Sequence, residues 1–270
     1  MGYLIGIDIG TTSTKAILIE DNGKVVSKAS YEYPIKMSHQ SWAEQDAETW
    51  WDATEYTLTK VLHESKIRAA EIEGIGLSGQ MHGTVFIGRN HESLRPAIIW
   101  ADQRSNIECN EMYQTLGRDL LIKVVCNPIV PGFMAPTLLW MKKHDPKFLE
   151  RTYKVLSPKD YVRLKLTGKI ATDVTDASAT LLFDVPKRKW SKEVLEALEI
   201  RPDLLCEDIY ESQDVTGEVT SWAADKTSLP QGIPVVAGGG DQEVQAVGNG
   251  VIKPGIASST IGTGGILFSV

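Results

Sequence analysis

Ile233-Pro234-Val235-Val236-Ala237-Gly238-Gly239-Gly240-Asp241 is the stretch on which the rest of the chain turns. A short, partly β-branched strand runs into three glycines, and an acidic residue stands where a helix is expected over Gln242 to Val247. Glycines at such a bend let the backbone approach a ligand closely. The aspartate either caps the helix through backbone N–H groups or holds a carboxylate over a substrate. Two further turns, Gly10-Thr11-Thr12-Ser13 and Gly262-Thr263-Gly264, look suited to the same phosphate, since turn amides and hydroxyls can face phosphate oxygens.

Toward the N-terminus, Tyr3 to Ile9 alternates strictly, with Tyr3, Ile5, Ile7 and Ile9 on one face and Leu4, Gly6, Asp8 and Gly10 on the other. A carboxylate at Asp8, between two glycines on an otherwise apolar strand, is costly unless a cation or hydrogen bonds satisfy it. A second strand (Lys15 to Glu20), the turn Asp21-Asn22-Gly23-Lys24 and a third strand (Val25 to Tyr33) make the opening a β-meander. This excludes a dinucleotide fingerprint, which needs a helix directly after its glycines, and a Walker A loop, which needs a terminal Gly-Lys-Ser/Thr.

Asp46 is expected to open a helix reaching about Glu64. Ile75-Gly76-Leu77-Ser78 then delivers Gly79-Gln80-Met81-His82-Gly83, where His82 either contacts a ligand or is satisfied by backbone. Pro96 to Trp100 reads as a strand, followed by a helix with Asp102 as its N-cap; Asp102 and Arg104 either pair with each other or reach hydroxyls of a polar ligand. Residues 110 to 151 read as helical apart from a break at 128–133, and Pro158 to Leu166 as a helix with proline in its first turn. The charges of residues 169 to 215 read as solvated surface without chemistry. At the end, Ile256 to Thr260, the Gly262–Gly264 turn and Ile266 to Val270 repeat the strand, Gly-Thr turn and strand of the opening.

The chain has 270 residues, 42% hydrophobic, and a net charge of −7. That is enough for one large domain or two smaller ones, without a basic cluster dense enough to track nucleic acid. An anionic substrate then needs a metal ion, helix N-termini or backbone amides to hold it. Three well-separated cysteines (Cys109, Cys126, Cys206) argue against a disulfide framework and for a cytoplasmic setting. No signal peptide fits the start, and no apolar run approaches the ~20 residues that span a bilayer, so no membrane association is expected.

Taken in order, Gly6-Ile7-Asp8-Ile9-Gly10-Thr11-Thr12-Ser13, Gly238-Gly239-Gly240-Asp241 and Gly262-Thr263-Gly264 resemble the FGGY carbohydrate kinases. The likeness runs along essentially the whole chain. It implies an α/β, ribonuclease H-like fold of the actin and hexokinase type, a mixed sheet flanked by helices. Gly79-Gln80-Met81-His82-Gly83, Met134-Ala135-Pro136 and Pro158-Lys159-Asp160-Tyr161 look most like the xylulokinase branch, with gluconate or other pentulose kinases as the nearest alternative. Glycerol kinases carry an Arg-Glu pair where this chain has Met81-His82 and the following residue.

Carried over by position, the resemblance implies ATP-dependent phosphorylation of the terminal hydroxyl of D-xylulose. Asp241 would be the general base, and Asp8 with Asp241 would hold Mg²⁺. Gln80, Met81, His82, Trp100, Asp102, Asp241 and Gln242 would bind the sugar. Gly10, Thr11, Thr12 and Ser13 would flank the ATP phosphates together with Gly262, Thr263 and Gly264. Gln242 departs from the asparagine of some xylulokinases. Residues 1–245 would form the sugar-binding and catalytic domain, and 246–270 the start of a second, ATP-binding one. Family members are nearly twice as long, so 270 residues alone are expected to turn over ATP weakly or not at all. A homodimer stays open. Outside this class stand a non-catalytic sugar or nucleotide sensor, disfavoured because the first strand begins at Tyr3 with no preceding helix-turn-helix, and an actin-like structural ATPase, which has no use for the Gln80-Met81-His82 turn.

Overall fold

The architecture was obtained as a computed structural model that describes residues 2–261 and 265–270. Its centre is a mixed sheet. Strands β1 (Tyr3–Ile9), β2 (Ser13–Glu20) and β3 (Val25–Glu32) form the expected antiparallel meander. Helix α1 (Ala47–Ser65) follows; the Asp46 carboxylate accepts from the Glu48 amide at its start, as the capping rule requires. Strand β4 (Ile72–Gly79) then pairs in parallel with β1, on the side away from β2.

Helix α2 (Asn106–Leu120) begins three residues later than an Asp102 cap predicts, with Ser105 in the cap position. Helices α3 (Met134–His144), α4 (Pro158–Thr167) and α5 (Val174–Ala179) come next. Strands β5 (Val215–Glu218) and β6 (Pro234–Val236) extend the sheet beyond β4, and β7 (Gly239–Gly240) adds a short parallel pairing to it. The chain continues through α6 (Asp241–Gly248) to a separate antiparallel pair, β8 (Ala257–Ile261) and β9 (Gly265–Ser269). Helix α6 thus runs across the domain border expected at 245/246. Gly262, Thr263 and Gly264 lie outside the described residues.

Period-2 alternation sorts the two faces of the sheet. Ile5, Ile7 and Ile9 of β1 point into the main core with Leu18, Ile75 and Leu77, under α1 and α4. A second apolar cluster, including Phe86, Met112, Leu138 and Met141, packs the helices inserted between β4 and β6. The opposite face of the sheet carries Gly6 and Asp8, Lys15 and Ile17, Lys28 and Ser30, and Gly76 and Ser78 around a large open cavity. Among the described residues no helix is long and apolar enough to cross a membrane.

One sequence-based expectation fails inside residues 169–215. Asp173 and Asp176 are fully buried rather than solvated, and Asp184 is nearly so. The reason is tertiary: Lys159 and Arg163 of α4 supply buried cations that meet Asp173, Asp176 and Asp160.

Candidate active site

Register places the acidic residue of the first strand. Asp8 stands opposite Lys15 on β2 and Ser78 on β4. Its Oδ1 accepts from the Ser78 hydroxyl at 3.2 Å and its Oδ2 from the Lys15 ammonium at 3.3 Å. Gly239 and Gly240 continue the sheet beside Ser78 and Gly79, so the next residue, Asp241, opens its helix at the same sheet end. Asp8 and Asp241 line one cavity of about 1150 Å³, together with Gln242. Burial and then the nearby Asp8 carboxylate push the Asp241 carboxyl above its ordinary range. Gln242 Nε2 lies 3.4 Å from Asp241 Oδ1 and partly offsets this.

Of the three glycines, Gly238 is the one that its backbone requires. Gly238 has φ +72°, and a Cβ there would lie 2.1 Å from the Leu77 carbonyl oxygen. A Cβ on Gly240 would meet Glu243 Oε2 at 2.5 Å and Met81 Sδ at 2.7 Å. The same measurement shows that Met81 abuts the residue preceding Asp241. Glu243 was not singled out in the sequence. Its half-buried carboxylate is pushed up by burial, with Asp241 adding to the shift. Its place at the third position of an expected helix reads there only as a charge favourable to the helix dipole.

His82 also adjoins this region, with a left-handed backbone (φ 69°). Its ring stacks on Phe133 with centroids 3.5 Å apart, and Nδ1 lies 3.2 Å from the Ala179 carbonyl oxygen at the end of α5. Burial drives its pKa down to about 4, so the ring is neutral at physiological pH. The sign of the linkage follows: between 6.5 and about 4 the unfolded chain takes up a proton that the folded chain refuses. Stability should therefore be lost as pH falls through that window, by at most about 3 kcal/mol. Denaturant melts at pH 7 and pH 5 check it. His82→Asn, which tolerates the left-handed backbone, should flatten that slope, and an unchanged slope would remove His82 as its source.

Other expected residues are held in ways that change their reading. Trp100 is half-exposed, and its Nε1 donates to Thr11 Oγ1 at 2.9 Å, tying the expected sugar side to the hairpin turn. Asp102 is a correction: it is 0% exposed, chelated by Arg104 Nε and Nη2 and accepting from the Ala43 amide, so it is closed to a ligand. Arg104 is a better partner than any hydroxyl, since a bidentate, charge-assisted pair leaves no lone pair wanting. Gln80 is likewise buried, donating to Gln45 Oε1 at 2.9 Å and lying 3.4 Å from the Gly10 carbonyl oxygen, so it braces the hairpin instead of facing the cavity. Ser13 is buried, and the Gly10 amide donates to the Ser13 carbonyl, which leaves Thr11 and Thr12 as the accessible part of that turn.

The profile of the FGGY family of carbohydrate kinases, N-terminal domain, matches residues 3–248. This chain belongs to the FGGY family. Among curated relatives of this FGGY chain, the xylulose kinase of Bacillus subtilis is 38% identical over 269 residues, covering all of this chain and 54% of that protein. Among solved structures, a xyloylose kinase from Brucella ovis superposes with a TM-score of 0.93 at 34% identity, covering 99% of this chain and 54% of the other. A gluconate kinase from Lactobacillus acidophilus superposes at 0.92 with 27% identity, covering 98% and 53%. The fold is that of FGGY sugar kinases, of actin and hexokinase type, and the chain spans about half the length of the relatives it matches.

Proposed function

We propose that this FGGY chain is the sugar-binding and catalytic part of an ATP-dependent kinase that phosphorylates the terminal hydroxyl of D-xylulose, giving xylulose 5-phosphate and ADP. The observation that carries the reading is the convergence of Asp8 and Asp241 on one cavity, with Met81 against the glycine before Asp241. Several relatives at 37–38% identity bear the name xylulose kinase. Residues 1–245 form the sugar domain and 246–270 begin the ATP-binding one, in a cytoplasmic protein whose three cysteines are free.

In this reading Asp241 accepts the proton of the sugar hydroxyl as that oxygen bonds to the γ-phosphorus and the bond to the ADP oxygen breaks. Phosphoryl transfer asks the protein chiefly for positioning and charge compensation. A carboxyl above its ordinary range is a stronger base than a free aspartate. Met81, neutral His82, Trp100 and Gln242 border the sugar, and Thr11 and Thr12 meet phosphate oxygens.

Mg²⁺ takes hard oxygen ligands, commonly one or two carboxylates with water and phosphate. Asp8 and Asp241 fit that set, and the repulsion between them is what a cation relieves. When bound there, Mg²⁺ supplies compensation for the triphosphate charge.

Calorimetry of this chain with D-xylulose, D-gluconate, D-ribulose and glycerol tests the substrate. ADP release should then be followed with the same sugars on the enzyme that carries the chain. D-xylulose should bind and turn over best. A clear preference for gluconate, the substrate named for one close structural neighbour, would replace xylulose with that alternative.

A further inference from the structure

Behind the Gly238–Gly240 bend lies a buried charge cluster that the proposed chemistry does not use. Oxygens of Asp160, Asp173 and Asp176 lie within 4.8 Å of one another, an arrangement that could hold a metal ion. Here the Lys159 ammonium fills the centre, 2.6 Å from Asp160, 2.9 Å from Asp173 and 3.2 Å from Asp176. Arg163 Nη2 adds a contact to Asp160 at 3.0 Å. Burial opposes the charge on Lys159, but the three carboxylates outweigh it and hold the ammonium protonated.

Where this cluster reaches outward is informative. Lys159 Nζ donates to the Ala237 carbonyl oxygen at 3.1 Å, and Arg163 Nη1 donates to the same oxygen at 2.8 Å. At the other end of the bend, the Thr175 hydroxyl donates to Asp173 Oδ1 at 2.5 Å and accepts from the Gly240 amide at 2.8 Å. Asp173 Oδ1 also accepts from the Thr175 amide at 2.8 Å, which fixes the turn presenting that hydroxyl. One ion cluster therefore grips the chain immediately before and at the end of three consecutive glycines. Those glycines have no side chains with which to hold themselves, and glycine has the most backbone freedom to lose. The residue directly after the second grip is Asp241.

We propose that Thr175 is a positioning residue for Asp241, its hydroxyl oriented by Asp173 so as to fix the Gly240 amide and, through it, the start of α6. The inference rests on Asp241 being the base and adds the group that aims it. Displacing a reacting carboxylate by about 1 Å can cost on the order of a hundredfold in rate, whereas sugar contacts made by Met81 and His82 stand on a different turn. A loss confined to kcat is therefore the signature expected, as opposed to a general loss of binding.

The test compares Thr175→Val, which keeps the shape and loses the hydroxyl, with Thr175→Ser, which keeps the hydroxyl. In the enzyme that carries this chain, Thr175→Val should lower kcat about tenfold to a hundredfold, with sugar affinity changed less than about threefold. Thr175→Ser should stay within about threefold of the parent in kcat. Hydrogen exchange at the Gly240 amide should quicken at least tenfold in the valine variant and not in the serine one. Unchanged kcat and unchanged exchange in Thr175→Val would overturn the proposal, as would equal losses in both variants. Should the valine variant not fold, exchange in the unsubstituted chain still decides: a Gly240 amide as fast as an unstructured peptide overturns the contact. Asp241→Asn run in parallel separates the layers. A normal rate in Asp241→Asn removes the functional reading, whereas a slow Asp241→Asn beside a normal Thr175→Val removes only the role of Thr175.

Discussion

Asp241→Asn is expected to lower kcat at least a hundredfold while leaving sugar affinity nearly intact. General-base assistance is typically worth about 10²–10⁴-fold, and the amide keeps the size of the side chain while losing its ability to take a proton. The neighbouring Gln242 can still hydrogen-bond an asparagine oxygen in the place of Asp241 Oδ1. Stability separates this loss from misfolding. The folded chain raises the Asp241 carboxyl above its ordinary range, through burial first and Asp8 second. A group of that kind favours the fold when protonated, and that advantage disappears as pH rises through its folded pKa. At neutral pH the carboxylate is thus a burden on the fold, and the neutral amide should melt no earlier than the parent. Steady-state kinetics, calorimetric titration with the sugar and a thermal melt test the three statements together. A near-normal kcat would remove Asp241 from the chemistry, whatever the melt shows.

Much of this site is legible along the chain because its signals are local. Strict alternation from Tyr3 to Ile9 puts Asp8 on the face away from the core, where it is found. Three glycines before Asp241 read as room for a ligand, whereas the close neighbours of Gly238 and Gly240 are Leu77 and Met81 of the chain itself. Asp46 caps its helix as its residue type and place suggest. What stays illegible depends on partners distant in sequence. Asp102 and Arg104 allow either mutual pairing or ligand contact, and the outcome rests on Ala43 and Glu44, some sixty residues away, completing the pair's hydrogen bonds. Asp173 and Asp176 sit in a polar, charge-rich stretch that composition alone assigns to the surface. Only the tertiary packing reveals that the Lys159 ammonium of α4 is buried against both of them. A partial clue existed: Lys159 and Arg163 lie four apart on a helix, with Asp160 between them, flanked by apolar Tyr161, Val162 and Leu164.

The buried cluster yields the second large expectation, which concerns stability. Lys159→Met should destabilise the fold by about 3–5 kcal/mol, the cost typical of removing one partner from a buried ion pair. The intact cluster itself is weak evidence of net stabilisation, because desolvating five charged groups offsets most of their attraction. The variant is asymmetric: it deletes the one cation that touches all three carboxylates, fully or almost fully buried, and leaves Arg163 in contact with Asp160. It also leaves the Ala237 carbonyl with one donor in place of two. Asp176→Asn is the informative contrast. Burial raises the Asp176 carboxyl well above its ordinary range, and its Oδ1 has no hydrogen-bond partner among the described residues. Neutralising it therefore removes a charge that the fold already resists, and should cost less than about 1 kcal/mol. Combined with Lys159→Met, it should recover part of the loss, since contacting residues are not additive. Denaturant unfolding at pH 7 of the parent, the two single variants and the double variant measures all of these. Similar losses for both single variants would mean that packing volume, and not charge balance, governs the region behind the glycine bend.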